Sequence, residues 1–167
     1  MNIIKKYFTL KRITIFFGGI VFLILFLSGG SFQFLNPQYY KFQYLMNTQS
    51  GFYILDEKLY RETKNREFRL LSNGEYSLGF ASNGYEIFYK YEQYDFQQVS
   101  SAITACKQHK RYYIDSMGVE HIISFEQKFR YTDYGIFLTG DEGAGFNLNI
   151  RQKSSFLSKD RTIMLKE

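Results

Sequence analysis

Apolar residues crowd first into one block. Ile13–Leu27 (ITIFFGGIVFLILFL) is interrupted only by Thr14 and the Gly18-Gly19 pair. A basic head, MNIIKKYFTLKR, precedes it, and the small residues of SGGS follow. As a helix the block rises about 22 Å, against a hydrocarbon core of ~30 Å. Extension from Ser28 to Leu35 would lengthen it. The order of charged head, apolar run and small residues matches a secretory signal cleaved near Gly30, and it equally matches an uncleaved signal anchor. In both cases the cations ahead of the run hold the head in the cytoplasm and put residues 32–167 outside. The expected location is therefore a bacterial inner membrane, crossed once, with a periplasmic C-terminal domain; cleavage would release that domain to the periplasm.

The next stretch, FQFLNPQYYKFQYLMNTQSG, changes to helical spacing. Asn36 suits an N-cap and Pro37 a first helical position, and Ser50-Gly51 can end the helix. Tyr39, Phe42, Leu45 and Met46 fall on one face. This predicts a juxtamembrane helix within 32–50 that packs on its own domain's sheet. The organisation is then 1–31 as head plus signal or anchor, 32–50 as that helix, and 51–167 as a single outer domain.

From Gly51 the period becomes two. FYIL and KLYRE read as strands about a turn at Asp56-Glu57, with a short helix as the alternative for the second. REFRLL, EYSLGFA and YEIFYKY alternate more clearly, separated by two Ser-Asn-Gly triplets. For the first triplet, a three-residue loop pairs Leu70 with Tyr76. That register gathers Phe68, Leu70, Tyr76, Leu78 and Phe80 on one buried face. For the second, a two-residue Asn83-Gly84 turn pairs Phe80 with Ile87. The same triplet is thus expected to make two different turns, with Phe88 exposed on the opposite face.

A crossing helix is expected next. Asp95 and Gln98 have capping-box spacing, and Phe96, Val99, Ala102, Ile103 and Cys106 form an i, i+3, i+4, i+7 stripe. Lys107, His109, Lys110 and Arg111 would lie at its C-terminal end. RYYID, VEHIISFEQKFRYT, YGIFLTG and GFNLNIRQK then read as a second set of strands, with RTIMLK as a last edge strand. The fold class is α+β: an N-terminal membrane or signal helix, then a mainly antiparallel sheet of two meanders with one crossing helix packed on it.

Charge removes one class of function. The formal net charge is +5, but Lys5, Lys6, Lys11 and Arg12, with no acid among residues 1–31, supply four of it. The outer part is nearly neutral, so no basic stripe remains for a phosphate backbone and nucleic acid is not an expected partner. One cysteine precludes an intrachain disulfide.

Candidate chemistry is sparse. Cys106 and His109 stand three apart, but Cys106 lies on the apolar stripe, where a neutral thiol packs as a small hydrophobe. His121 is the only other histidine, so no metal set is assembled. Asp141 and Glu142 sit in a glycine loop, GDEGAG, without the further oxygen ligands of a calcium site. Asp115 and Glu120 flank the Met117-Gly118 turn and are the pair a small envelope hydrolase would use. No catalytic residue, cofactor or metal is assigned.

What stands out is aromatic surface: fifteen tyrosines and no tryptophan. Tyrosine is a low-entropy, amphipathic contact residue. Tyr112, Tyr113, Tyr131 and Tyr134, with Phe88, are the candidate protein-binding surface. The expected function is a membrane-anchored or exported protein-binding module, of which an immunity or inhibitor protein masking a toxin or envelope enzyme is one form. The alternatives are a structural accessory of a cell-envelope or secretion assembly, and the hydrolase.

Overall fold

A computed structural model describes residues 10–27, 30–141 and 145–165. The chain is mixed α+β with a mainly antiparallel sheet. It forms two compact units. The smaller combines residues up to Pro37 with Thr132–Lys153; the larger combines Gln38–Tyr131 with the segment from Ser154 onward.

In the smaller unit, helix α1 (Leu10–Leu27) coincides with the apolar block. Its side chains are exposed on consecutive positions, Ile15, Phe16 and Phe17 and again Val21 to Ile24, so no single face is favoured. Among the described residues no helix is long and apolar enough to cross a membrane. The basic head up to residue 9 and the Ser28-Gly29 pair lie outside the described residues.

Helix α2 (Pro37–Thr48) opens on Pro37, as the sequence predicts, and buries Phe42, Leu45 and Met46. Phe42 and Tyr39 pack on Tyr131 of the sheet, with ring centroids 5.5 and 5.7 Å apart. After β1 (Gly51–Ile54), Asp56 ends the strand by accepting the Leu59 amide at 2.9 Å. KLYRE is consequently helical, as α3 (Glu57–Thr63), and the alternative reading of that stretch holds.

The remaining strands are β2 (Arg69–Leu70), β3 (Tyr76–Phe80), β4 (Glu86–Lys90), β5 (Tyr94–Ser100), β6 (Ile103–Ile114), β7 (Glu120–Asp141), β8 (Gly145–Lys153) and β9 (Thr162–Met164). In the larger unit they run in the order β2-β3-β4-β6-β7-β1-β9, with β5 also paired to β6. β9 is an edge strand, as RTIMLK suggests, and runs parallel to β1. The core beneath α3 is Leu59, Leu78, Ala81, Ile87 and Ile123, flanked by Tyr60, Tyr89 and Tyr113.

The expected crossing helix is absent. Residues 94–114 form the β5–β6 hairpin instead, turning at Ser101-Ala102 between the paired Ser100 and Ile103. Ala102, Ile103 and Cys106 of the predicted stripe are buried, but Phe96 is exposed. The reason is tertiary. β6 lies among β4, β5 and β7, and ladder pairing of its aromatic and β-branched residues overrides a helical spacing that arose by coincidence. The proposed N-cap Asp95 and the proposed C-terminal cation Lys107 become a cross-strand ion pair at 2.6 Å.

The two Ser-Asn-Gly loops are also corrected. Leu70 pairs with Tyr76, as predicted. The second loop, however, repeats the first. Leu71 N donates to Glu75 O at 2.8 Å and Ala81 N to Tyr85 O at 3.0 Å; Gly74 and Gly84 have φ of +85° and +80°. Register is restored inside β3. Ser77 pairs with Phe88 while Phe80 pairs with Glu86, so β3 carries one extra residue, a bulge at Leu78-Gly79. The bulge reverses the faces. Leu78 is buried, whereas Phe68, Leu70, Tyr76 and Phe80, expected beside it, are exposed.

Candidate protein-binding site

The reversal creates an aromatic groove of about 220 Å3 between the first Ser-Asn-Gly loop and the end of β4. Tyr76, Tyr89, Tyr91 and Tyr112 line it, and Glu75, Lys90 and Glu92 set charges of both signs at its rim. Each aromatic is positioned by a neighbour. Tyr112 lies opposite Phe88 across the β4–β6 ladder, their ring centroids 5.6 Å apart. Its hydroxyl donates to Glu75 Oε1 at 3.1 Å, and Lys110 Nζ stands 4.1 Å from its ring. Burial, reinforced by Glu75, pushes that hydroxyl up to about 12.

Tyr89 occupies the other side of the sheet. Its hydroxyl and His109 Nδ1 share a hydrogen bond at 2.5 Å, and Phe68 packs 4.6 Å from its ring. The Arg111 guanidinium stacks on Tyr60 at 4.8 Å and approaches Tyr89 at 5.9 Å. Tyr91 meets His109 edge-on at 4.8 Å, leaving its own ring 58% exposed. Tyr76 and Tyr91 thus expose apolar surface in the groove, and exposed Phe68 adds to it through its contacts with Tyr76 and Tyr89. Rigid aromatics with mixed rim charge suit contact with another protein's side chains.

Of the five residues singled out from sequence, Tyr112 lines the groove but is buried, and Phe88, expected to be exposed, is half-buried against its ring. Tyr113, the next residue along β6, points to the opposite face and stacks on Tyr85 and His121 at 5.3 and 4.8 Å. Tyr131 is buried under α2. Tyr134 belongs to the smaller unit, with Arg151 5.3 Å above its ring. Phe68, Tyr76, Tyr89 and Tyr91 were not singled out. Gly79, a glycine inside a strand pattern, was the available sign of the bulge that exposes them.

The candidate chemical residues are each engaged elsewhere. Cys106 is fully buried, and desolvation pushes its thiol up to about 11. His109 bonds Tyr89 and faces Glu126 at 3.6 Å. Asp115 accepts the Met117 and Val119 amides at 2.8 and 2.9 Å and the His121 Nε2 proton at 2.8 Å. The His121 contact leads in holding that carboxyl below its usual range. Glu120 pairs instead with Lys110 at 2.6 Å. Glu120 is opposite Ile114, so Asp115 and Glu120 project to opposite faces. In the glycine loop, Glu142 lies outside the described residues. Among the described residues no group of three or more His, Cys, Asp or Glu is placed to hold a metal ion. No protein family, no curated protein and no solved structure matches this chain.

Proposed function

We propose that the chain is a membrane-anchored protein-binding module, held outside the inner membrane of a bacterial cell, whose aromatic groove grips one protein partner. The observation that carries the reading is the exposed pair Tyr76 and Tyr91 lining a pre-formed groove, with exposed Phe68 packed beside Tyr76 and Tyr89. Solvent-facing aromatics in one cluster are the usual composition of a contact surface. An inhibitor or immunity role fits this arrangement, because a rigid surface masks a partner without rearranging.

Anchoring rests on α1. Apolar side chains exposed around the whole helix need an apolar solvent. Within its 18 residues the apolar block Ile13–Leu27 rises about 22 Å, short of a bilayer core of ~30 Å. Local thinning, with Lys11 and Arg12 reaching back to the headgroups, accommodates such a mismatch.

A photo-crosslinking residue placed in turn at Tyr91, at Met117 and at Leu23 tests the proposal in the full-length protein in cells. One discrete adduct from Tyr91 and none from Met117, which is exposed on a different hairpin, is the expected result. Adducts from Leu23 alone would favour an accessory subunit that joins an assembly through its anchor. Equal, diffuse labelling at all three sites would sink the groove as a binding site.

A further inference from the structure

The β7–β8 ribbon of the smaller unit is amphipathic. Leu138 pairs with Leu148, and Ile150 lies on the same side by alternation; Ile136 sits in the register shift between Tyr134 and Phe137. Their exposures are 51% for Ile136, 73% for Leu138, 65% for Leu148 and 70% for Ile150. The other face carries Thr139, Asn147, Asn149 and Arg151 with the buried Phe137 opposite Asn149, and Asn149 Nδ2 donates to Thr139 Oγ1 at 2.6 Å. A two-stranded ribbon is marginal in water, and an apolar face of this kind needs cover.

We infer that this apolar face lies on the outer surface of the phospholipid bilayer, beside the point where α1 leaves it. The inference rests on the reading of α1 as the membrane anchor. The choice of lipid comes from how the ribbon is pinned. Ile136 N donates to Gly30 O at 2.8 Å and Phe32 N to Tyr134 O at 2.9 Å, with Ser31 and Gly135 bridged between them. Gly30 follows α1 by only three residues, so the apolar face starts where the helix ends. The approach is too close for side chains: a Cβ at Gly135 would stand 2.2 Å from Gly30 O. A bilayer that surrounds α1 therefore meets Ile136 at its surface.

Depth follows from the backbone. Among the described residues β8 pairs with β7 alone, so its outer edge is open and the hydrocarbon core is closed to it. The ribbon lies flat in the interfacial layer, its Ile and Leu side chains towards the acyl chains. Tyr134, Arg151 and Lys153 at its base suit the headgroup level. The ribbon thus fixes the tilt of the chain where it leaves the membrane, which a single helix does not do alone.

The test uses the full-length protein in vesicles of phosphatidylcholine and phosphatidylglycerol. Single cysteines replace Leu23, Leu138, Leu148, Asn147 or Asn149 and carry an environment-sensitive fluorophore; the buried Cys106 stays, and unmodified protein controls for its labelling. The expected result is loss of fluorescence to quencher-bearing lipid at positions 23, 138 and 148, and to aqueous iodide at 147 and 149. Lipid quenching at 23 with iodide quenching at 138 and 148 overturns the ribbon inference and leaves the anchor standing. No lipid quenching at 23 overturns both. Shielding of 138 and 148 from both quenchers overturns it in favour of a protein cover, such as a second copy of the chain. Should one ribbon variant misfold, Ile150 samples the same face.

Discussion

At the scale of single residues, His109 shows what the ladder demands of its members. It has φ of +55° within the register shift between Gln108 and Arg111, a conformation that disfavours side chains with a Cβ. The Tyr89 hydrogen bond, the Tyr91 edge contact and the Glu126 carboxylate hold it there. His109→Ala and His109→Gly both lose those contacts, but only glycine relieves the backbone. The alanine variant should therefore be the less stable by about 1 kcal/mol in urea unfolding. Equal stability would show that the backbone there relaxes. The side chain also sets a pH dependence. Burial holds its protonation below the ordinary value of 6.5 despite Glu126, with Lys128 and Arg111 acting in the same direction as burial. As pH falls through 6.5 the unfolded chain takes up a proton that the folded chain resists, so folding stability is lost in acid. His109→Gln should show a smaller fall in Tm between about pH 7.5 and about pH 5.5 than the parent; an identical fall would assign the effect to other groups. None of this is visible in the sequence, where His109 reads as a helix-terminal cation, because the positive φ originates in a mismatch with β7.

Elements were legible where one local signal decided them and illegible where two competed. Pro37 and the Phe42, Leu45, Met46 spacing specify α2 without help from the rest of the chain. The stretch 95–111 satisfied helical spacing and still became a hairpin, because partners far along the chain could offer it a ladder. The β3 bulge is the more informative failure, since it hides the site. Its unpaired carbonyls are met by one side chain: Arg66 Nη1 donates to Leu78 O at 3.1 Å and to Phe80 O at 2.7 Å. Glu62 holds that arginine at 2.7 Å and also accepts the Ser82 amide of the second loop at 3.1 Å. Glu62 of α3 and Arg66, just beyond its end, thus staple both bulge and loop. Arg66→Ala should destabilise the fold by about 1 kcal/mol, since a part-buried and an exposed carbonyl lose their charged donor. It should also reduce crosslinking from Tyr91, because the register that exposes the groove depends on the bulge. Arg66→Lys offers one ammonium in place of the Nη1 that serves the carbonyls and the Nη2 that holds Glu62, and should fall between the two. A stable variant with unchanged crosslinking would show that Gly79 alone, at φ of +80°, maintains the bulge.

For the whole molecule, the change of period at Gly51 predicted a mainly antiparallel sheet, and that sheet is observed. The association of Thr132–Lys153 with the N-terminal segment was not predictable, because backbone atoms make it. Its trace in the sequence is only two glycines, Gly30 in SGGSF and Gly135 in DYGIF, each too common to single out. Gly135→Val tests the link directly. Its Cβ would fall 2.2 Å from Gly30 O, where backbone cannot yield as a flexible side chain would, so the Gly30–Phe32 segment must separate from the ribbon. Hydrogen exchange at the Ile136 and Phe32 amides should then accelerate strongly, while amides around Ile87 and Ile123 keep their protection because their ladders involve neither glycine. Uniform acceleration throughout the chain would instead mean that the two units unfold as one.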